Sequence, residues 1–115
     1  MTTLRNTYTA VIARGERWTG QVHTEPYEVA WASEAIFFVH MMPESPQQTG
    51  TTVAHVQISP DGLHWVDEGT KFALPNVPDT VSFGRVSHFG GWLRLAVEVP
   101  SACEFKVVAT LSLKA

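Results

Sequence analysis

Five histidines, His23, His40, His55, His64 and His88, are the side chains best suited to hold a metal. A zinc site wants His or Cys pairs at short spacing, such as H-x-H or H-x3-H, so that two ligands reach one ion from the same element. No such pair occurs here. His55 and His64 flank a turn and could face each other on adjacent strands. With His40 on a neighbouring strand they would form a three-histidine face of the kind a cupin-like metal enzyme uses. The plainer reading is a set of scattered surface histidines, with no metal and no cofactor. Nucleophilic chemistry is no better supported. There is no G-x-S-x-G elbow, and the single cysteine, Cys103, has no histidine near it in sequence. The eleven acidic residues allow many carboxylate pairs, but a sandwich this small has little room for a deep glycosidase cleft. Gly90-Gly91 reads as a turn before Trp92 and not as a phosphate loop. The chain is expected not to be an enzyme.

The most distinctive local sequence is Gln57-Ile-Ser-Pro-Asp-Gly-Leu-His-Trp65. Pro60 fixes φ for a turn, Asp61 can bond its own backbone, and Gly62 takes the positive-φ position. Ser59 can cap the turn and Trp65 can fold back over it. A calcium or sugar role through Asp61, Asp67 and Glu68 would need more oxygen ligands than lie nearby, at a different spacing. The S-x-D-G-x-x-W pattern at Ser59, Asp61, Gly62 and Trp65 resembles a hairpin of small β-sandwich modules in bacteriophage and phage-like virion proteins. Some extracellular sugar-binding modules carry a similar one. In such modules a later strand often carries an aromatic-Leu-Arg stretch, here Trp92-Leu93-Arg94. The resemblance spans roughly residues 53–114, and it implies a virion-type accessory or decoration protein without catalytic residues.

Elements that could position these residues are extended, because the hydrophobic rhythm is two nearly everywhere. Tyr8, Ala10 and Ile12 alternate with Thr7, Thr9 and Val11, and Gly15 is expected to close that strand. Tyr27, Val29 and Trp31 form a second alternating set, and Ala35 to Met42 reads as a central strand covered on both faces. Val53 to Ile58 places His55 and Gln57 opposite Ala54, Val56 and Ile58. Leu93, Leu95, Val97 and Val99 face inward, with Arg94 and Glu98 outward. Phe105, Val107, Ala109, Leu111 and Leu113 do the same in the last strand, and the gap 100–104 suits a hairpin between these two. Gly and Pro breakers recur about every ten residues, the spacing of sandwiches and barrels. Residues 43–50 form the most polar loop and are expected to be mobile. The expectation is an all-β, antiparallel two-sheet β-sandwich, jelly-roll-like, of about eight strands. It is expected to be a single β-sandwich domain over 1–115, with 1–6 as a flexible N-terminal arm.

Composition fits one buried core: 115 residues, 44% hydrophobic, with 17% charged. That is too apolar for disorder. A net charge of −3 gives no polyanion-binding surface, so no nucleic acid partner is expected. One cysteine permits no internal disulfide. The N-terminus lacks the apolar stretch of a signal peptide, and no run is long enough for a membrane span. Cytoplasmic synthesis follows, and then residence in a virion or intracellular assembly. Alternation assigns Trp31, Phe37, Phe38 and Trp65 to the core. Trp18 and Trp92 are left as outward candidates, with Arg94 beside Trp92 as an interface hot spot, a sugar platform, or a cation–π pair covering the sheet edge. The leading expectation is a structural module that forms a homo-oligomer on a larger protein assembly. The rivals are a carbohydrate-binding module using Trp18 or Trp92 and the cupin-like enzyme.

Overall fold

The computed structural model describes residues 7–115, and the arm at 1–6 lies outside them. Nine strands follow one another: β1 (Thr7–Trp18), β2 (Gln21–His23), β3 (Tyr27–Glu28), β4 (Glu34–Met41), β5 (Val53–Ser59), β6 (Val66–Ala73), β7 (Val81–Ser87), β8 (Trp92–Glu98) and β9 (Phe105–Lys114). They form two antiparallel sheets, ordered β1-β9-β4-β7 and β2-β8-β5-β6, with β3 also paired to β8. This is the jelly-roll order: apart from the β5–β6 hairpin and the β2–β3 pair, successive strands alternate between two facing sheets. No helix among the described residues is long and apolar enough to cross a membrane.

The ninth strand arises from a break. β2 and β3 both pair with β8, so together they occupy one strand position. Pro26 lies between them and has no N–H to give to a ladder. Thr24 bridges the gap: its N–H donates to the Leu95 carbonyl at 3.0 Å, and its Oγ1 accepts the Leu95 N–H at 2.9 Å. The expected hairpin at 100–104 is instead a crossover, because β8 and β9 belong to different sheets. Two well-patterned strands in sequence need not be neighbours in space.

Gly15 does not close β1. The strand runs through it, with register shifts between Val11 and Ala13 and between Ala13 and Glu16. Gly15 takes φ +59° within the second irregularity, a conformation that costs glycine little. The first places both Ile12 and Ala13 in the core, which breaks simple alternation. The second restores the phase, so Trp18 points inward opposite Phe105. Trp18 is 1% exposed and ranks among the largest fully buried side chains. Its assignment as a surface platform is therefore incorrect. Its indole Nε1–H donates to Glu16 Oε1 at 3.3 Å.

The core follows the alternation of β4, β5, β8 and β9, with Phe37, Val39, Met41, Val56, Leu95 and Leu111 all fully enclosed. β4 is central in its sheet, but only one of its faces is covered. Phe38 is half-buried on the outer face, and so does not join Phe37 in the core. Trp31 is 44% exposed beyond the end of β3, and Trp65 is half-buried before β6. The loop at 43–50 is pinned at several points. Ser45 Oγ accepts the Lys106 N–H at 3.0 Å, and Gln48 Nε2 donates to the Glu104 carbonyl at 2.6 Å.

The edge strands β6 and β7 meet across the sandwich at one tight contact. A Cβ on Gly84 would stand 2.4 Å from Phe72 Cδ1, and within 3.1 Å of two further ring atoms. The whole ring would have to move. Gly84→Ala is expected to lose about 1–3 kcal/mol by overpacking, and Phe72→Leu in the same chain should recover part of that loss. Urea denaturation of the single and double variants checks both.

Candidate functional site

The outer face of the five-stranded sheet gathers most of the polar residues that the sequence singles out. Its centre is Arg94 on β8. Register places Gln57 of β5 directly beside Arg94, and Asp67 of β6 beside Gln57. Arg94 Nε donates to Gln57 Oε1 at 2.8 Å, and Gln57 Nε2 donates to Asp67 Oδ1 at 2.9 Å. The guanidinium carbon lies 4.2 Å from the centroid of Trp65. Arg94 is thus fixed on one edge by an amide and on one face by an indole, a preorganised donor. Partial burial lowers its pKa from the ordinary arginine value.

Trp92 and Arg94 share the outward face, as alternation requires, but the cation–π partner of Arg94 is Trp65 and not Trp92. Trp92 instead covers the turn. A Cβ on Gly62 would lie 3.2 Å from its ring, and Gly62 has φ +78°. The two tryptophans have exchanged the places expected of them.

Beneath Trp92 the turn consumes its own polar atoms. Ser59 is buried, and its Oγ accepts from Asp61 N at 3.2 Å and Gly62 N at 2.8 Å while donating to Asp61 Oδ1 at 3.0 Å. Asp61 Oδ1 also accepts from Leu63 N at 2.8 Å and His64 N at 2.9 Å, and Oδ2 bonds His64 Nδ1 at 2.6 Å. These bonds, those of His64 first, hold the Asp61 carboxyl far below the usual carboxylate range. Its bonds with the turn are therefore kept at neutral pH and lost only as pH falls well below the range of ordinary carboxylates. The 13C carboxyl shift of Asp61 should still report the ionised form at about pH 3, where an ordinary aspartate is mostly protonated.

The histidines do not converge. His40 lies in the four-stranded sheet, where its Nε2 stands 2.9 Å from Asp79 Oδ1. His55 lies in the other sheet, and His64 bonds back to Asp61. Among the described residues no group of three or more His, Cys, Asp or Glu could hold a metal. Register instead brings together a pair that spacing along the chain conceals: His23 of β2 and His55 of β5 flank Ala96 of β8 on opposite sides. Burial, and then the charge of Arg94, lower the pKa of His23. Cys103 is a partly buried free thiol packed against the core.

Two further surfaces escape sequence reasoning. Tyr8, Tyr27 and Trp31, with Thr7, line an open cavity of about 460 Å³, and the Tyr27 hydroxyl donates to that of Tyr8 at 3.1 Å. The other is the outer face of the four-stranded sheet. Val11, Thr110, Phe38 and Phe83 lie in one row across β1, β9, β4 and β7. Phe38 and Phe83 have ring centroids 6.3 Å apart, and Arg85 caps Phe83 at 5.0 Å. Val81 is 58% exposed and Phe83 48% exposed. Ile36 and Val108 are half-buried beside them.

No protein-family model matches the sequence, and no curated protein matches it significantly. Solved structures do share the fold. The crystal structure of the SPBc2 prophage-derived protein YomS superposes with a TM-score of 0.64 at 10% identity, covering 100% of this chain and 98% of that one. The structure of infectious bursal disease virus, Gx strain, matches with a TM-score of 0.56 at 13% identity. That match covers 96% of this chain and 32% of the viral one.

Proposed function

We propose that this jelly roll is a non-enzymatic structural module that assembles as a homo-oligomer within a larger protein assembly of the virion or shell type. The observation that carries the reading is the apolar outer face of the four-stranded sheet. A sheet face directed to solvent normally alternates to polar residues. Here Val81, Phe83 and Val11 stand exposed around half-buried Phe38. Contiguous apolar surface of this kind marks interaction sites. The rim carries Arg85, His40, Ser112 and Thr9, the polar border that surrounds an interface core.

Two fold likenesses support the setting. One solved relative in fold is described as prophage-derived and the other as a virus. The prophage-derived chain is matched over 98% of its length and this chain over 100%. Arg94 and Trp92 lie on the opposite sheet and take no part in this contact. Size-exclusion chromatography with light scattering tests the reading. A mass of two or more whole multiples of 12.7 kDa is expected, and a strict monomer over the accessible concentration range would contradict it.

A further inference from the structure

We infer that β7 is a docking edge for a second copy of this chain, whose own β7 pairs with it antiparallel and joins two four-stranded sheets into one. The inference rests on the homo-oligomer reading above and names the contact through which two copies meet. The edge of an open sheet exposes a row of backbone N–H and C=O groups that is either blunted or paired. Among the described residues, three of the four edges are blunted. β1 carries two register shifts and Gly15 at positive φ. β6 carries Lys71, a register shift against β5, and Gly69 at φ +113°. β2 and β3 are short and are parted by Pro26. β7 has none of these features: it runs from Val81 to Ser87 without proline or lysine and pairs with β4 without a shift. The other sheet does not seal it either. A cavity of about 440 Å³ opens beside its second half, lined in part by Arg85, Val86 and Ser87 of β7 and by Glu68 and Thr70 of β6.

Ladder parity identifies the groups that β7 leaves open. Continuing the register, Met41 N–H donates to the Thr80 carbonyl directly opposite, and Met42 N–H to the Lys106 carbonyl on the other side. Bonded residues alternate along an antiparallel pair, so the odd-numbered residues of β4 bond β7 and the even-numbered ones bond β9. Ser82, Gly84 and Val86 are therefore satisfied by Val39, Phe37 and Ala35. The N–H and C=O groups of Val81, Phe83, Arg85 and Ser87 point away from β4, and among the described residues no other strand or loop backbone bonds them. The strand is also complementary to itself. All seven of its residues pair only when the two-fold axis passes through Gly84. That register sets Phe83 opposite Arg85 of the second copy and Val81 opposite its Ser87, so open groups meet open groups. Arg85 already lies over Phe83 within one chain, 5.0 Å from the ring centroid, and the same pairing recurs twice across the join. Arg85 is the only charge on β7, and this register does not place it opposite its own copy, where like charges would repel. The join makes the apolar row of Phe38 and Phe83 continuous with that of the second copy.

The test is hydrogen–deuterium exchange at single-residue resolution on the full chain, dilute and concentrated, with the mass followed by light scattering. The Phe83 and Arg85 amides, open in the monomer, are expected to exchange at least about tenfold more slowly once the chain has associated. Ser82, Gly84 and Val86 should be slow in both samples. Two variants separate backbone from side chain. Arg85→Pro removes the outward N–H and spares the β4 ladder, a position where an edge strand tolerates proline. Arg85→Ala removes the side chain and keeps the N–H. By sedimentation velocity, association should be weaker in Arg85→Pro than in Arg85→Ala by at least about tenfold, with circular dichroism unchanged. The exchange measurement uses the parent chain alone and stands even if a variant fails to fold. A rise in mass with Phe83 and Arg85 exchanging as in the dilute sample would overturn the edge pairing and leave the apolar-face contact standing. So would a folded Arg85→Pro that associates as tightly as Arg85→Ala. A strict monomer would contradict both.

Discussion

Replacing Trp18 with alanine is expected to cost about 3–5 kcal/mol of folding stability. The side chain is 1% exposed and pairs across the sheet with Phe105, itself in the core. Alanine there leaves a cavity the size of an indole in a close-packed core, at the end of the longest strand. Total stability of a domain this size is about 5–15 kcal/mol, so the variant should unfold at much lower urea or fail to accumulate. Circular dichroism followed against urea measures the loss. A midpoint within experimental error of the parent, with altered assembly or ligand binding, would return Trp18 to the surface.

The second large effect is expected on association. In the pair Val81→Glu/Phe83→Glu, two charges enter the centre of the apolar face from an edge strand. Each residue points outward from β7 and touches no part of the enclosed core. Folding stability should change by no more than about 1 kcal/mol, as for most surface substitutions. Buried in an interface, the same charges would go unpaired. Losses of about 2 kcal/mol or more at each central aromatic or aliphatic anchor are usual, so self-association should weaken by at least about 100-fold. Sedimentation velocity on the parent and the double variant reads this directly. An unchanged oligomer with intact circular dichroism would place the contact elsewhere.

How much of this was legible beforehand depended on where each strand lies. β8 and β9 are central, enclosed on one face and polar on the other, and their alternation gave the correct inward set from Leu93 to Leu113. β7 defeats the same reasoning. Its inward residues are Ser82, Gly84 and Val86 because Phe72 fills the space beside it, while Val81 and Phe83 face out. Hydrophobicity alone reads that strand inside out. β6 is mostly polar, with Gly69 at φ +113° where its pairing with β5 slips between His55 and Gln57. Trp31 follows the expected rhythm from Tyr27 but lies past the last bridged residue, where alternation no longer binds the chain.

At the candidate site, residue identities were readable and neighbours were not. Ser59, Asp61 and Gly62 form the turn that their types demand, since every bond there spans three residues or fewer. Arg94 was placed on the outer face correctly, yet its partners Gln57 and Trp65 come from β5 and from the segment before β6. The pairing of Trp65 with Arg94, and of Trp92 with Gly62, depends on strand order. So does the meeting of His23 and His55 across Ala96. Periodicity fixes the direction of a side chain and carries no information about which strand lies beside it.

Hydroxyl-radical footprinting of the intact protein, compared between dilute and concentrated samples, tests most directly whether the apolar face of the four-stranded sheet is the assembly contact. Oxidation of Phe83, Phe38 and Val81 should fall as the assembled form accumulates, while that of Tyr8, Trp31 and Leu63 stays constant. Equal labelling of Phe83 and Phe38 in both samples, alongside a rise in mass by light scattering, would contradict it.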